Sequence, residues 1–145
     1  QSGPEKPLEK YFVKTGNTTY GIQNLAYDEY TGNFFAAVYK GKKSEFPNYS
    51  LFVIDRHKKP KKKKIRSDDK MIKVKTLSLL NAGLKDDKTQ IRGWDFDWGT
   101  TGLHSLGDGL FYISHNKKTN DGLQETTIHK YKWIGDEETA FEKIN

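Results

Sequence analysis

The six residues Phe34-Phe35-Ala36-Ala37-Val38-Tyr39 restrict the fold more than any other stretch of the chain. In an extended segment successive side chains point to opposite faces, so an unbroken apolar run needs cover on both sides. Gly32-Asn33 before it and Gly41 after it are turn signals, and they leave the length of a strand rather than of a helix. Leu51-Phe52-Val53-Ile54 and Leu110-Phe111-Tyr112-Ile113 have the same character. A chain with three such segments, short polar links and no helical periodicity is expected to be all-β, antiparallel and layered.

Composition bears on what can cover those strands. Hydrophobic residues make up 34% of the 145 and charged residues 30%, which is polar for a folded chain, but aromatics reach 13%. Large rings supply burial that the aliphatic content does not. No cysteine is present, which excludes disulfides, thiolate metal sites and cysteine nucleophiles. No apolar run approaches the roughly 18 residues of a membrane span. A start at Gln1 rather than Met points to a processed product or a piece of a longer chain, and an extracytoplasmic or secreted setting is the favoured expectation. The sequons Asn17-Thr18-Thr19 and Asn48-Tyr49-Ser50 are of a kind that often arises by chance.

The glycine- and proline-containing residues 1–7 are expected to form an arm, and 8–145 a single all-β domain opening with a short strand at Tyr11-Phe12-Val13. Two units follow, at about 20–80 and 91–145. In the first, Ile22–Tyr27, Phe34–Tyr39, Leu51–Ile54 and Lys70–Leu80 are the expected strands, the last a half-exposed outer one. In the second they are Ile91–Gly99 with Leu103–Leu106, Leu110–His115, Glu125–Ile134 and Ala140–Ile144, the last an outer strand or a frayed helix. Gly21-Ile22-Gln23-Asn24-Leu25-Ala26-Tyr27-Asp28 is set beside Gly93-Trp94-Asp95-Phe96-Asp97-Trp98 as the opening of each unit. A four-stranded antiparallel unit used twice is the pattern of propeller repeats.

On these residues, and on Tyr27-Asp28-Glu29-Tyr30-Thr31-Gly32-Asn33-Phe34-Phe35 in particular, the chain resembles β-propeller repeat proteins at the level of architecture. No Trp-Asp repeat terminator and no Asp-box is present, so the resemblance names no single family. It implies two four-stranded blades plus an extra N-terminal strand, the outer strand of a preceding blade. Two blades do not close a ring, so the chain would be the C-terminal part of a larger propeller or would complete itself by self-association. A free-standing β-sandwich of the same strands is the alternative.

Four groups of residues carry the functional candidates. In Trp94-Asp95-Phe96-Asp97-Trp98, strand alternation puts the two carboxylates on one face and the rings on the other. Asp95 and Asp97 suit Ca²⁺ or another hard cation. Through the propeller resemblance, which implies metal ligands on inner strands as in the lactonases and their relatives, Asn24 and Asp28 join them, and the bland reading is turn capping. His104 joins them because its hairpin could reach the Asp95/Asp97 face as a base or ligand. His115 shares the hairpin of His104 and is a further candidate base or ligand, whereas His57 and His129 have no motif spacing. Trp94, Trp98, Tyr112 and Trp133 could stack on a sugar ring, against a default of core packing.

The fourth group is the basic run. Arg56, Lys58, Lys59, Lys61, Lys62, Lys63, Lys64 and Arg66 supply more than the whole net charge of +6. They are expected on a long exposed loop, with polyanion binding as the functional reading and simple solvation as the bland one. Neither a nucleophile elbow nor a phosphate-binding Gly-Lys-Ser/Thr loop occurs. Three functions remain open: a non-catalytic binding or scaffold module, a fragment of a metal-dependent propeller hydrolase, and a polyanion-binding domain. The balance leans away from an enzyme.

Overall fold

The computed structural model describes residues 6–144, which are all-β with no helix among them. Most of the expected arm lies outside the described residues. The strands are β1 Tyr11–Val13, β2 Thr18–Asp28, β3 Asn33–Lys40, β4 Leu51–Ile54, β5 Lys61–Ser67, β6 Lys70–Leu77, β7 Leu84–Lys85, β8 Arg92–Gly93, β9 Leu103–Ser105, β10 Leu110–Lys118, β11 Gln124–Trp133 and β12 Phe141–Ile144. They form sheets ordered β2-β3-β4, β12-β11-β10-β9, β1-β6-β5 and β7-β8, and none of these closes into a barrel. Among the described residues no helix is long and apolar enough to cross a membrane.

The apolar run in β3 has the two-sided cover its sequence demands. Phe35 and Ala37 point into a core that includes Leu51, Val53, Trp94, Phe111, Ile113 and Phe141. Ala36 and Val38 point the other way, into a second cluster with Tyr49, Phe52 and Ile91. Phe35 is fully buried and meets Phe111, Trp133 and Phe141 at ring-centroid distances of 5.0, 4.7 and 5.9 Å. One aromatic thus ties the first unit to three rings of the second.

The strands expected in each unit pair with changed membership. The second is a four-stranded meander, and Ala140–Ile144 resolves as the outer strand β12 rather than a helix. The first has three full strands. Its fourth position is filled by Ser78–Leu80, through the Ile54↔Leu79 bridge and backbone bonds from Asp55 to Ser78 and from Leu80 to Val53. The preceding β6 leaves this sheet and pairs with β5 instead.

That pairing corrects the reading of the basic run. Lys61–Ser67 is a strand in seven-residue register with β6, not a loop, and Asp68-Asp69 makes the two-residue turn between them, with Asp68 at φ 52°. With Ile65 as its one apolar residue, the stretch lacks the alternation that reveals a half-buried strand, so its partner does not follow from the run itself. The N-terminal strand needs a second correction. β1 is not the outer strand of a preceding unit but pairs in parallel with β6, Tyr11 opposite Lys75.

The Trp94–Trp98 stretch also departs from expectation. Beyond the short β8 it makes one bridge, Trp94 to Leu51, and residues 95–99 form no strand. The first strand of the second unit is β9. Even so, the alternation survives in extended chain: Trp94 is buried and Phe96 and Trp98 half-buried, while Asp95 and Asp97 are exposed. Trp94 lies across Gly83, where an added Cβ would sit 2.5 Å from the indole, and its Nε1 donates to Asp136 O at 2.8 Å.

A Phe35→Ala variant should lose about 3–5 kcal/mol in denaturant unfolding, because the cavity touches both units. Exposed Tyr112, changed to Ala, should stay within about 1 kcal/mol of the parent in the same titration.

Candidate functional site

The two carboxylates of the aromatic stretch do come together, on a cation. Lys40 at the end of β3 places Nζ 2.9 Å from Asp95 Oδ1 and 3.9 Å from Asp97 Oδ1. All three side chains are substantially solvent-exposed, so this triad is a surface ion pair of modest strength. Among the described residues no three His, Cys, Asp or Glu side chains cluster as a metal site would require.

Asn24 and Asp28 work elsewhere, as tethers between the units. Asn24 Nδ2 donates to Gly99 O at 3.1 Å. Asp28 is fully buried at the end of β2: Oδ2 accepts from Thr31 N at 2.9 Å and Thr31 Oγ1 at 2.6 Å, and Oδ1 accepts from Ser105 Oγ at 2.6 Å. Its carboxylate therefore closes the β2–β3 turn and holds β9 in place. The same turn chemistry occurs a second time, unnoticed in the sequence. Asp86 Oδ2 accepts from Thr89 N at 2.7 Å and Thr89 Oγ1 at 2.5 Å, and those bonds hold its carboxyl below the usual carboxylate range. Gly32 at φ 71° and Gln90 at φ 62° follow the two threonines. The Asp-x-x-Thr spacing was the available signal; Gln in place of Gly obscured it.

The four aromatic candidates divide between faces and form no shared platform. Trp94 and Trp133 pack edge to face in the core, with centroids 5.2 Å apart. Tyr112 is exposed on the opposite face of β10, directly across from exposed His104 on β9. Trp98 stacks on His115 at 3.9 Å with the planes 10° apart. His115 also meets the His129 ring at 4.2 Å and bonds through Nε2 to Tyr131 Oη at 2.6 Å. Burial first, then the charges of His129 on β11 and Lys143 on β12, lower the pKa of His115.

The basic run gives the arrangement with the strongest chemical bias. In the β5–β6 register Lys62 stands opposite Lys75, Lys64 opposite Lys73 and Arg66 opposite Met71, all on one face. Lys73 and Lys75 were absent from the sequence-based candidates, since nothing in the run itself shows which residues will stand across from it. Like charges directly opposite on a sheet are destabilising. The described residues relieve one of the four lysines, Lys75, whose Nζ lies 2.5 Å from Glu9 Oε1. Lys61, Lys63 and Ile65 face the other way, over a cleft against the body of the protein. Arg56 lies over the Tyr27 ring at 5.8 Å, and Lys58 reaches Asp55 at 3.8 Å, so these two belong to the hinge of the hairpin rather than to its charged face. Lys59 is exposed just before β5.

Comparison with family models, curated proteins and solved structures gave no match to this chain.

Two predictions follow from these contacts. Asp28→Ala should cost about 3 kcal/mol in thermal or denaturant unfolding, because it removes the acceptor of three partly buried donors; Asp28→Asn should cost less. His115 has a folded pKa below its unfolded value near 6.5, so the unfolded chain binds the extra proton more readily. Stability should be highest above that pH and fall as the pH drops through the lowered folded value. In His115→Gln, melting temperature should fall less across the same window.

Proposed function

We propose that this chain is a non-catalytic binding module whose ligand is a polyanion held on the outer face of the β5–β6 hairpin. The observation that carries this reading is the pair of lysine–lysine juxtapositions, Lys62↔Lys75 and Lys64↔Lys73. Like charges set directly opposite one another are an unfavourable arrangement for the free protein. A mobile solvated loop would let such charges spread apart; a strand ladder holds them in two rows. Alternate residues on a strand repeat at about 6.6–6.8 Å, so the rows meet an extended anionic chain at several points at once. Binding would release counterions and depend steeply on salt.

In this reading the two units are propeller-type blades, β2-β3-β4 completed by Ser78–Leu80 and the meander β9–β12. The hairpin is an elaboration of the link between the third and fourth strands of the first. The support is the order of strands and the placement of β2 beside β9. Further blades or a second copy would be needed to complete a ring. The hydrolase alternative has less to draw on, since Asp95 and Asp97 share Lys40 and Asp28 is consumed by Thr31 and Ser105.

The test is a double substitution, Lys64→Thr with Lys73→Thr, compared with the parent on immobilised heparin and on a short DNA duplex. The variant should elute at lower salt, and the magnitude of its log K against log salt slope on duplex should drop by about 2. It should also be slightly more stable than the parent, since one repulsive pair is gone. Unchanged retention on both matrices would remove the proposal.

A further inference from the structure

We infer that the opposite face of the same hairpin forms a second, separate site, for a phosphate or sulfate monoester that carries an apolar group. The β1-β6-β5 sheet stands off the body of the protein and leaves a cleft of about 830 Å³. Lys58, Lys61, Lys63 and Arg66 line it from the hairpin and its hinge, and Lys14, Lys85 and Arg92 from the body. Among the described residues no acid lines it. A solvated crevice between two charged walls would ordinarily carry both signs; the described residues give this one a single sign on both.

The site is also organised. Lys14 Nζ donates to Thr89 O at 2.8 Å, which places the ammonium and leaves two further donors. Thr89 itself is fixed by the Asp86 carboxylate, and Gln90 N donates to Asp86 O at 2.7 Å, so the turn that presents this carbonyl is closed on both sides. Arg92 is held in register by the β7–β8 pair, opposite Lys85. That pairing is another like-charge juxtaposition, now at the rim of the cleft.

Partly exposed apolar side chains share the lining with Thr15, Ser78 and Asn81. Phe12 and Ile65 come from the sheet and Leu79 from the body. A bare inorganic anion would use the cations and leave these side chains in contact with water. An extended polyanion would suit the outer face better than a recess of this size. The combination selects a compact ligand with an anionic head and a hydrophobic body. Free esters and lipid headgroups share that chemistry.

The inference does not depend on the outer-face lysines because, of the residues placed on that face, only Arg66 also borders the cleft. Its test uses the full chain and four probes in equilibrium titrations: 1-naphthyl phosphate, inorganic phosphate, neutral 1-naphthol, and phosphatidylcholine vesicles with and without phosphatidic acid. Naphthyl phosphate should bind at least about tenfold more tightly than inorganic phosphate or naphthol. Lys14→Gln with Arg92→Gln should weaken it by about tenfold or more. Lys61→Gln with Lys63→Gln, both on the exposed hairpin, should do the same if the first pair fails to fold. Lys64→Thr with Lys73→Thr should leave it unchanged. Phosphatidic-acid vesicle binding that is lost with the cleft variants marks a lipid source, and naphthyl phosphate binding without it marks a free ester; either supports the site. Equal affinity for inorganic and naphthyl phosphate, or loss through Lys64 and Lys73 instead of the cleft residues, would overturn it.

Discussion

Burial of β3 on both faces is the constraint from which the rest of the structure follows. A strand with Phe35 and Ala37 on one side and Ala36 and Val38 on the other cannot lie on the surface of a single sheet. One layer is supplied by the second four-stranded unit, whose Phe111, Trp133 and Phe141 enclose Phe35. The other is supplied by connecting segments, with Ile91 and Tyr49 packed on Phe52 and Val38. The links between the units are therefore part of the core and not spacers. This is why Trp94, on a stretch with almost no ladder of its own, is one of the most deeply buried residues.

Such a core leaves little freedom for the polar groups that join the units. Asp28 is buried completely and is tolerated because three donors meet its two oxygens. A residue that resembled a metal ligand by position is thus an internal fastening. The same holds in milder form for Asn24. Charge is concentrated instead on the sheet that the core does not use. The β1-β6-β5 sheet contributes one buried hydrophobic residue, Val74, and both of its faces carry an excess of lysine.

Strand positions in the apolar parts were legible from residue type alone. β3, β4, β10 and β11 fall where alternation and apolar runs put them, and the aromatic and acidic sides of 94–98 separate as expected. What could not be read was partnership. Lys61–Ser67 has no apolar face, so nothing local distinguished a strand from a loop, and Lys73 and Lys75 became relevant through register. The parallel partner of β1 is some sixty residues distant and announced by no motif. For the candidate site the basic run was legible as charge but not as a strand, and at Asp28 a carboxylate near a turn is more fully occupied by its neighbours than its position suggested.

The lone acid on the lysine face has a consequence of its own. Glu9 is carried just ahead of β1, and β1 runs alongside β6, so its carboxylate stays tethered within reach of Lys75. A tethered group competes at an effective concentration that a free monovalent anion does not match in solution. Such an anion gains one contact and must displace another of the same kind. A ligand that also engages Lys62, Lys64 and Lys73 would gain contacts for which the described residues offer no internal substitute. On the proposed reading the face would therefore favour repeated charge: at Lys75 a monovalent anion has to displace Glu9, whereas a polyanion adds the other three lysines.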